Sequence, residues 1–156
     1  MIFKRWSKDR SSLLKYLRIA DPDERAVQEY LNMGDVFVLV ANDDINDIIA
    51  VALMIYEARG RVELKNLVVR PKYQRQGYGG TLIDMLIDYY KKKNLDEIVV
   101  GTANSSFGNL EFYHQKGFTT FGVKEGFFDL YPEPIFENGI QAHDMIMLIR
   151  KIDDEN

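Results

Sequence analysis

Apolar and polar positions along the chain change period several times, and each change marks an element. Residues 2–6 begin an edge strand. Ser11 and Ser12 precede an apolar pattern of Leu13, Leu14 and Leu17, which predicts a short capped helix. Asp21-Pro22-Asp23 starts a second helix, with proline near the first turn and acids at the positive end. It runs through Val27, Tyr30 and Leu31 to Gly34, a C-cap glycine. Residues 35–41 and 48–56 are β-branched, apolar runs separated by Asn42-Asp43-Asp44, and predict an antiparallel hairpin of buried strands. Arg59-Gly60 turns the chain into a further strand over residues 61–69. After Pro71 the period becomes helical: Leu82, Ile83, Leu86, Ile87 and Tyr90 form one stripe, with Asp84, Asp88, Lys91 and Lys92 opposite. A buried strand follows over residues 97–102, then a short helix over 110–116 ending at Gly117. Residues 118–128 are strand-like, 129–141 irregular, and 144–152 form a last strand.

Antiparallel strands followed by β-α-β-α-β make a mixed α/β layer fold. The helix after the fourth strand crosses over to a strand parallel to it. The length, 156 residues, suits one domain over residues 1–156 with a core that needs no staples.

Composition narrows the chemistry. There is no cysteine, which excludes disulfides, thiolate nucleophiles and cysteine-based metal sites, and fits a reducing, cytoplasmic setting. A net charge of −4 argues against a nucleic-acid partner. No apolar run approaches about 18 residues, so no membrane span is predicted. The first residues turn polar too early for a signal peptide. His114 and His143 share no ligand spacing, so no metal is expected.

The most informative stretch is Gln74-Arg75-Gln76-Gly77-Tyr78-Gly79-Gly80-Thr81, between a strand and a helix. Three glycines in four positions let the backbone approach a ligand closely. The free amides and dipole of the helix start suit a pyrophosphate, and Arg70, Lys72 and Arg75 add positive charge. A Rossmann loop is excluded because Leu82 stands where its third glycine would be, and a P-loop because no lysine follows Gly80.

The segment Gln74–Gly79 matches the signature Q/R-x-x-G-x-G/A, Val69-x-Pro71 precedes it, and Tyr113-His114-Gln115-Lys116-Gly117-Phe118 is similar to a Y-x-x-x-G-F ending. In these motifs and their order, over about residues 35–125, the chain resembles the GNAT superfamily of N-acetyltransferases. The resemblance implies the GNAT α/β fold, with a mixed central sheet of six to seven strands and helices on both faces. It implies acetyl-CoA as co-substrate and a primary amine of a small molecule, peptide or protein as acceptor, which attacks directly in a ternary complex. The backbone of Gln76 to Thr81 would hold the pyrophosphate, and Leu67, Val68 and Val69 would lie along the pantetheine arm. Relatives carry an asparagine seven residues before the tyrosine; here Ser106 stands there, with Asn109 one turn on as a substitute. The alternative is that the serines only cap the helix. A non-catalytic acyl-CoA sensor on the same fold is the competing functional reading. Folds of this kind commonly form homodimers through their late strands, and the residues themselves do not decide that point.

The chemistry asks for a base, because an amine of pKa about 10.4 is neutral only about once in several thousand molecules at pH 7. That amounts to roughly 4.6 kcal/mol of barrier unless the proton is removed in place. Glu63, eleven residues before Gln74, stands at the spacing of the catalytic glutamate in histone-type relatives, acting directly or through water. Strict alternation places Glu63, Lys65 and Leu67 on one face of the strand. The oxyanion that develops on attack needs a donor, a backbone amide near Val69. Tyr113 is the candidate acid for the departing thiolate. The acceptor is expected opposite the donor, near Tyr16, Tyr30, Phe127 and Phe128. Asp129, Tyr131, Glu133, Glu137 and Asp144 complete that expected surface, where aromatics and acids suit a cation.

Overall fold

The computed structural model describes residues 1–152; residues 153–156, the end of the expected domain, lie outside the described residues. Seven strands form one sheet: β1 (Ile2–Arg5), β2 (Asp35–Val40), β3 (Ile48–Ala58), β4 (Arg61–Val69), β5 (Glu97–Ala103), β6 (Thr119–Lys124) and β9 (Met145–Lys151), in the order β1-β2-β3-β4-β5-β9-β6. Among the described residues only the β4–β5 pair is parallel. A separate hairpin, β7 (Phe136–Glu137) with β8 (Ile140–Gln141), lies inside the stretch expected to be irregular.

Helices cover both faces. The apolar stripe of α3 (Tyr78–Lys92) buries Leu82, Ile83, Leu86 and Tyr90, and with α4 (Phe107–Gln115) it covers Phe37, Ala52, Leu64 and Val100. On the other face, Leu17 of α1 (Leu14–Ala20) and Val27 of α2 (Glu24–Tyr30) pack on Val36, Val38, Val51 and Leu53. Asp23 caps α2, accepting from the amides of Arg25 and Ala26. The predicted cap at Ser11 is absent: Asp9 holds the Ser11 amide and hydroxyl instead, and a 3-10 turn leads into α1. The strand predicted over 118–128 stops at Lys124, where Gly126 adopts φ +67° and starts a short 3-10 helix, Phe127–Leu130.

Two irregularities shape the cleft. The parallel ladder runs only from Arg61–Glu97 to Leu64–Val100, so the far halves of β4 and β5 diverge. In the same place β4 bulges: Met54 pairs with Leu64 and Leu53 with Asn66, leaving Lys65 as the extra residue. The bulge reverses the alternation. Val62, Leu64, Leu67 and Val69 face α3, while Asn66 and Val68 face α1 and α2. The expectation that Glu63 and Leu67 share a face is therefore wrong.

Tyr90 is fully buried, with its ring edge-on to Phe37 at 6.0 Å and to Tyr89 at 5.0 Å, and its hydroxyl has no partner. An unpaired buried donor costs about 1–3 kcal/mol. Tyr90→Phe keeps the ring packing and removes that cost. Urea denaturation is expected to show a gain of about 1 kcal/mol at unchanged m-value. A loss of stability would mean that the hydroxyl is solvated in the folded protein.

Candidate active site

The divergence of β4 and β5 opens a cleft with two compartments. The first, of 570 Å³, runs between the end of β4 and the start of α3. The second, of 320 Å³, lies between β4, β5 and the turn from α1 to α2, and is closed by the Phe127–Leu130 turn and the β7–β8 hairpin. Leu67, Asn109, Tyr113 and Glu137 border both.

The larger compartment is built for an anion. Arg75 and Gly77 take positive φ, 65° and 85°, and this tight turn points the chain into α3. The Thr81 amide and hydroxyl both donate to the Gly77 carbonyl, each at 3.1 Å. The amides of Tyr78, Gly79 and Gly80 precede the first helical bond and are left at the dipole's positive end. Gly79 lies against Val69 and Phe112 across the cleft floor. Gln74, Arg75, Gly77, Tyr78, Gly79 and Gly80 line this compartment, as do Leu67, Val68 and Val69. Gln74 Nε2 donates to the Val69 carbonyl at 2.9 Å and ties the loop to the strand. Gln76 stands outside, donating to the Lys72 carbonyl, and Thr81 is turned into its helix. Arg70 does not serve the loop. Its guanidinium donates to the Ile48 carbonyl at 2.9 Å, sits 3.7 Å from Asp47, and stacks over Tyr16 and Tyr73.

Tyr113 stands where the compartments meet, 7% exposed, its ring edge-on to Phe112 at 5.0 Å and to Phe118 at 5.4 Å. Burial pushes its phenol well above the ordinary tyrosine value, so it stays protonated at neutral pH. Ser106 does not cap α4. Its hydroxyl donates to the Glu137 carboxylate, and Asn138 of the same hairpin donates to the Ser105 carbonyl at 2.9 Å. The hairpin is thus clasped to the start of α4, and Asn109, one turn before Tyr113, borders both compartments.

Glu63 lines neither compartment. It pairs in register with Val99, inside the closed part of the β4–β5 ladder, and the cleft begins one pair later. Of the expected acceptor surface, Phe128, Tyr131 and Glu137 line the smaller compartment. Asp129 instead faces His143 at 2.7 Å, and Asp144 accepts from the Gly126 amide at 2.9 Å. The sequence reading missed Asp21, Lys65 and Asn66, which also line it. Among the described residues no group of three or more His, Cys, Asp or Glu is placed to hold a metal ion, and no helix is long and apolar enough to cross a membrane.

The family model of the acetyltransferase (GNAT) family matches residues 4–118. The chain belongs to this family. An uncharacterized N-acetyltransferase of Bacillus subtilis strain 168, YvbK, is 36% identical over 137 residues, 87% of this chain and 86% of that protein. A crystal structure of a GNAT acetyltransferase from Elizabethkingia anophelis with acetyl-CoA bound superposes with a TM-score of 0.88 at 34% identity, covering 96% of this chain and 97% of that one. A Bacillus subtilis acetyltransferase in complex with CoA superposes at 0.86 and 33% identity, over 96% and 97% of the two chains. The cleft is thus that of a GNAT acetyltransferase, and the splayed strands and glycine loop are the parts of the fold that form it.

Proposed function

We propose that the larger compartment binds acetyl-CoA and that the acetyl group passes directly to a primary amine held in the smaller one. The observation that carries this is the continuity of the two compartments at Tyr113, with unpaired helix amides at one end and carboxylates at the other. The co-substrate supplies a thioester, a carbon open to attack and a sulfur able to leave. The relatives with acetyl-CoA or CoA bound, similar over nearly the whole chain, support that choice of donor.

The chain's residues divide the work. The amides of Tyr78, Gly79 and Gly80, with Arg75, receive the pyrophosphate. Gln74, Gln76 and Thr81 hold the loop in shape through the bonds described. The diverged edge of β4 along Leu67, Val68 and Val69, apart from the Val69 carbonyl that Gln74 holds, offers backbone to an extended arm, much as a neighbouring strand would. Asn109 serves the arm in place of Ser106, whose hydroxyl is held by Glu137. A backbone amide near Val69 faces the carbonyl oxygen as charge grows on it. As the amine nitrogen bonds to the acyl carbon, the carbon–sulfur bond breaks. Tyr113 gives its proton to the sulfur and regains one from the nitrogen. Glu63, shut within the ladder, reaches the reacting nitrogen only through water. A homodimer would use the outer strand β6, where Phe121 and Val123 are about half exposed.

Thermal unfolding with acetyl-CoA, CoA, ATP and NAD tests this reading. At about 100 times the dissociation constant, acetyl-CoA and CoA should each add about 2.7 kcal/mol of stability. ATP and NAD should add little. Equal shifts with all four, or none with the CoA pair, would remove the reading.

A further inference from the structure

The acceptor compartment contains a polar chain that the steps above do not use. Asn66 is 5% exposed and lines the compartment. Its Nδ2 donates to the Leu17 carbonyl at 3.0 Å and to the Tyr30 hydroxyl at 2.9 Å. A carbonyl only accepts, so the amide orientation is fixed. Tyr30, having accepted, donates its own proton to Asp21 Oδ2 at 3.0 Å. The Asp23 amide donates to Asp21 Oδ1 at 3.2 Å. The chain ends on Asp21, which accepts at both oxygens, as suits a carboxylate. That carboxylate stands on the compartment wall.

Two further features point to a cation with N–H groups. Asn66 Oδ1 is buried without a partner, and an acceptor left so costs about 1–3 kcal/mol. The charged residues of the wall are Asp21, Glu137 and Lys65, one negative charge in excess. Lys65 holds its ammonium over the Tyr30 ring at 5.3 Å. Ile19, Phe128, Tyr131 and Ile135 supply apolar and aromatic wall. At 320 Å³ the compartment has the volume of about ten waters, which suits a small molecule or one side chain.

We propose that Asp21 receives the ammonium group of the acceptor and takes its proton, and that the acceptor is a small primary amine carried on an apolar arm. This rests on the transfer reading above. One N–H bond of the ammonium breaks, the proton joins an Asp21 oxygen, and the freed lone pair is the nucleophile. Asp21 returns the proton to water when the product leaves. Burial raises the proton affinity of Asp21 above the ordinary aspartate value, and the charge of Asp23 adds to it. The Asp23 amide, the Tyr30 hydroxyl and Lys65 oppose it without cancelling it. Burial, helped by Asp21 and Asp23, also pushes the Tyr131 phenol up to about 12, so it faces the ammonium as a neutral hydroxyl whose oxygen can accept an N–H bond.

The test uses phenethylamine and its neutral counterpart 2-phenylethanol. In calorimetric titrations at pH 7, with and without CoA, wild type should bind the ammonium at least about tenfold more tightly than the alcohol. Asp21→Asn, which can still accept from Tyr30, should lose that preference and keep its stabilisation by CoA. With acetyl-CoA as donor, wild-type log kcat/KM should be flat from just above the ordinary aspartate range to about pH 10, where the amine itself titrates. In Asp21→Asn it should climb tenfold per pH unit, because only the neutral amine can react. Equal binding of amine and alcohol by wild type would overturn the proposal. So would a variant that keeps the preference and the plateau, or loss of the plateau in Glu63→Gln alone. Failure of CoA to stabilise wild type would count against the donor reading only, because the ammonium preference is also read without CoA.

Discussion

Replacing Tyr113 by phenylalanine is expected to lower kcat about 100-fold at pH 7 while leaving the KM for acetyl-CoA within about twofold, the low end of the range for loss of a general acid. The ring stays where it is. Its ring packs edge-on against Phe112 and Phe118 and the residue is 7% exposed, so removing the hydroxyl leaves that packing in place. What disappears is the proton for the departing sulfur. In wild type the burial that raises the phenol's pKa keeps that proton in place across the working range. The sulfur's own basicity sets the size and the pH dependence of the defect. A thiol has a pKa of about 8.5, so the thiolate can leave unaided with increasing ease at high pH. The ratio of wild-type to variant kcat should therefore shrink between about pH 7 and pH 9.5. Stopped-time assays across that range, with thermal unfolding of both proteins as the control for folding, read both effects. A loss below threefold at pH 7 would mean that the sulfur takes its proton from another group, and an undiminished ratio at high pH would mean that the hydroxyl acts by holding the arm.

The elements that build this cleft were legible because their signals are local. The helical stripe of Leu82, Ile83, Leu86 and Tyr90, the glycines of the loop and the β-branched runs each declare themselves within a dozen residues, and they appear as α3, its N-terminal turn, β2 and β3. The bulge in β4 was a different matter. It carries no glycine or proline, and its one trace is that the alternation of apolar residues at 62 and 64 gives way to an unbroken apolar run at 67, 68 and 69. Strict alternation ignores that change and so puts Glu63 beside Leu67, whereas the bulge turns Leu67 to the α3 side and Asn66 to the α1 side. The Asp21–Tyr30–Asn66 chain was hidden for another reason. Asn66 reaches back 36 positions to Tyr30 and 49 to Leu17, and each residue has a sufficient local explanation as a cap, a helix aromatic or a strand residue. The clasp between Ser106 and Glu137 spans 31 positions and displaced a capping role that the local sequence supported equally well. In each case the missing information is a long-range pairing, which period and composition do not encode.

Gly79→Asp is the substitution expected to cost most in donor binding, and it should do so without harming the fold. Gly79 is the second residue of α3, and a β-carbon built on it meets Phe112 Cζ at 3.4 Å and Val69 Cγ2 at 3.6 Å, ordinary contact distances. Its φ lies outside the positive range that strains other residues, unlike Gly77 at 85°. An aspartate in the first turn also favours the helix by about 0.3–1 kcal/mol through the dipole. The same dipole is what the pyrophosphate needs, so the new carboxylate occupies the site it would otherwise leave open. Like charges about 4 Å apart repel by roughly 4 kcal/mol at the effective dielectric of a protein surface. Solvent and salt weaken this, and about 3 kcal/mol remains a fair expectation, or a loss of more than about 100-fold in affinity for acetyl-CoA and CoA. Equilibrium titration with CoA at low and high salt measures it, with part of the loss recovered at high salt because the repulsion is screened. Gly79→Ala separates charge from bulk: the methyl group fits, so its affinity should stay within about tenfold of wild type. If Gly79→Asp binds CoA as tightly as Gly79→Ala does, the phosphates do not lie at the start of α3. The donor would then have to enter the cleft from its other end.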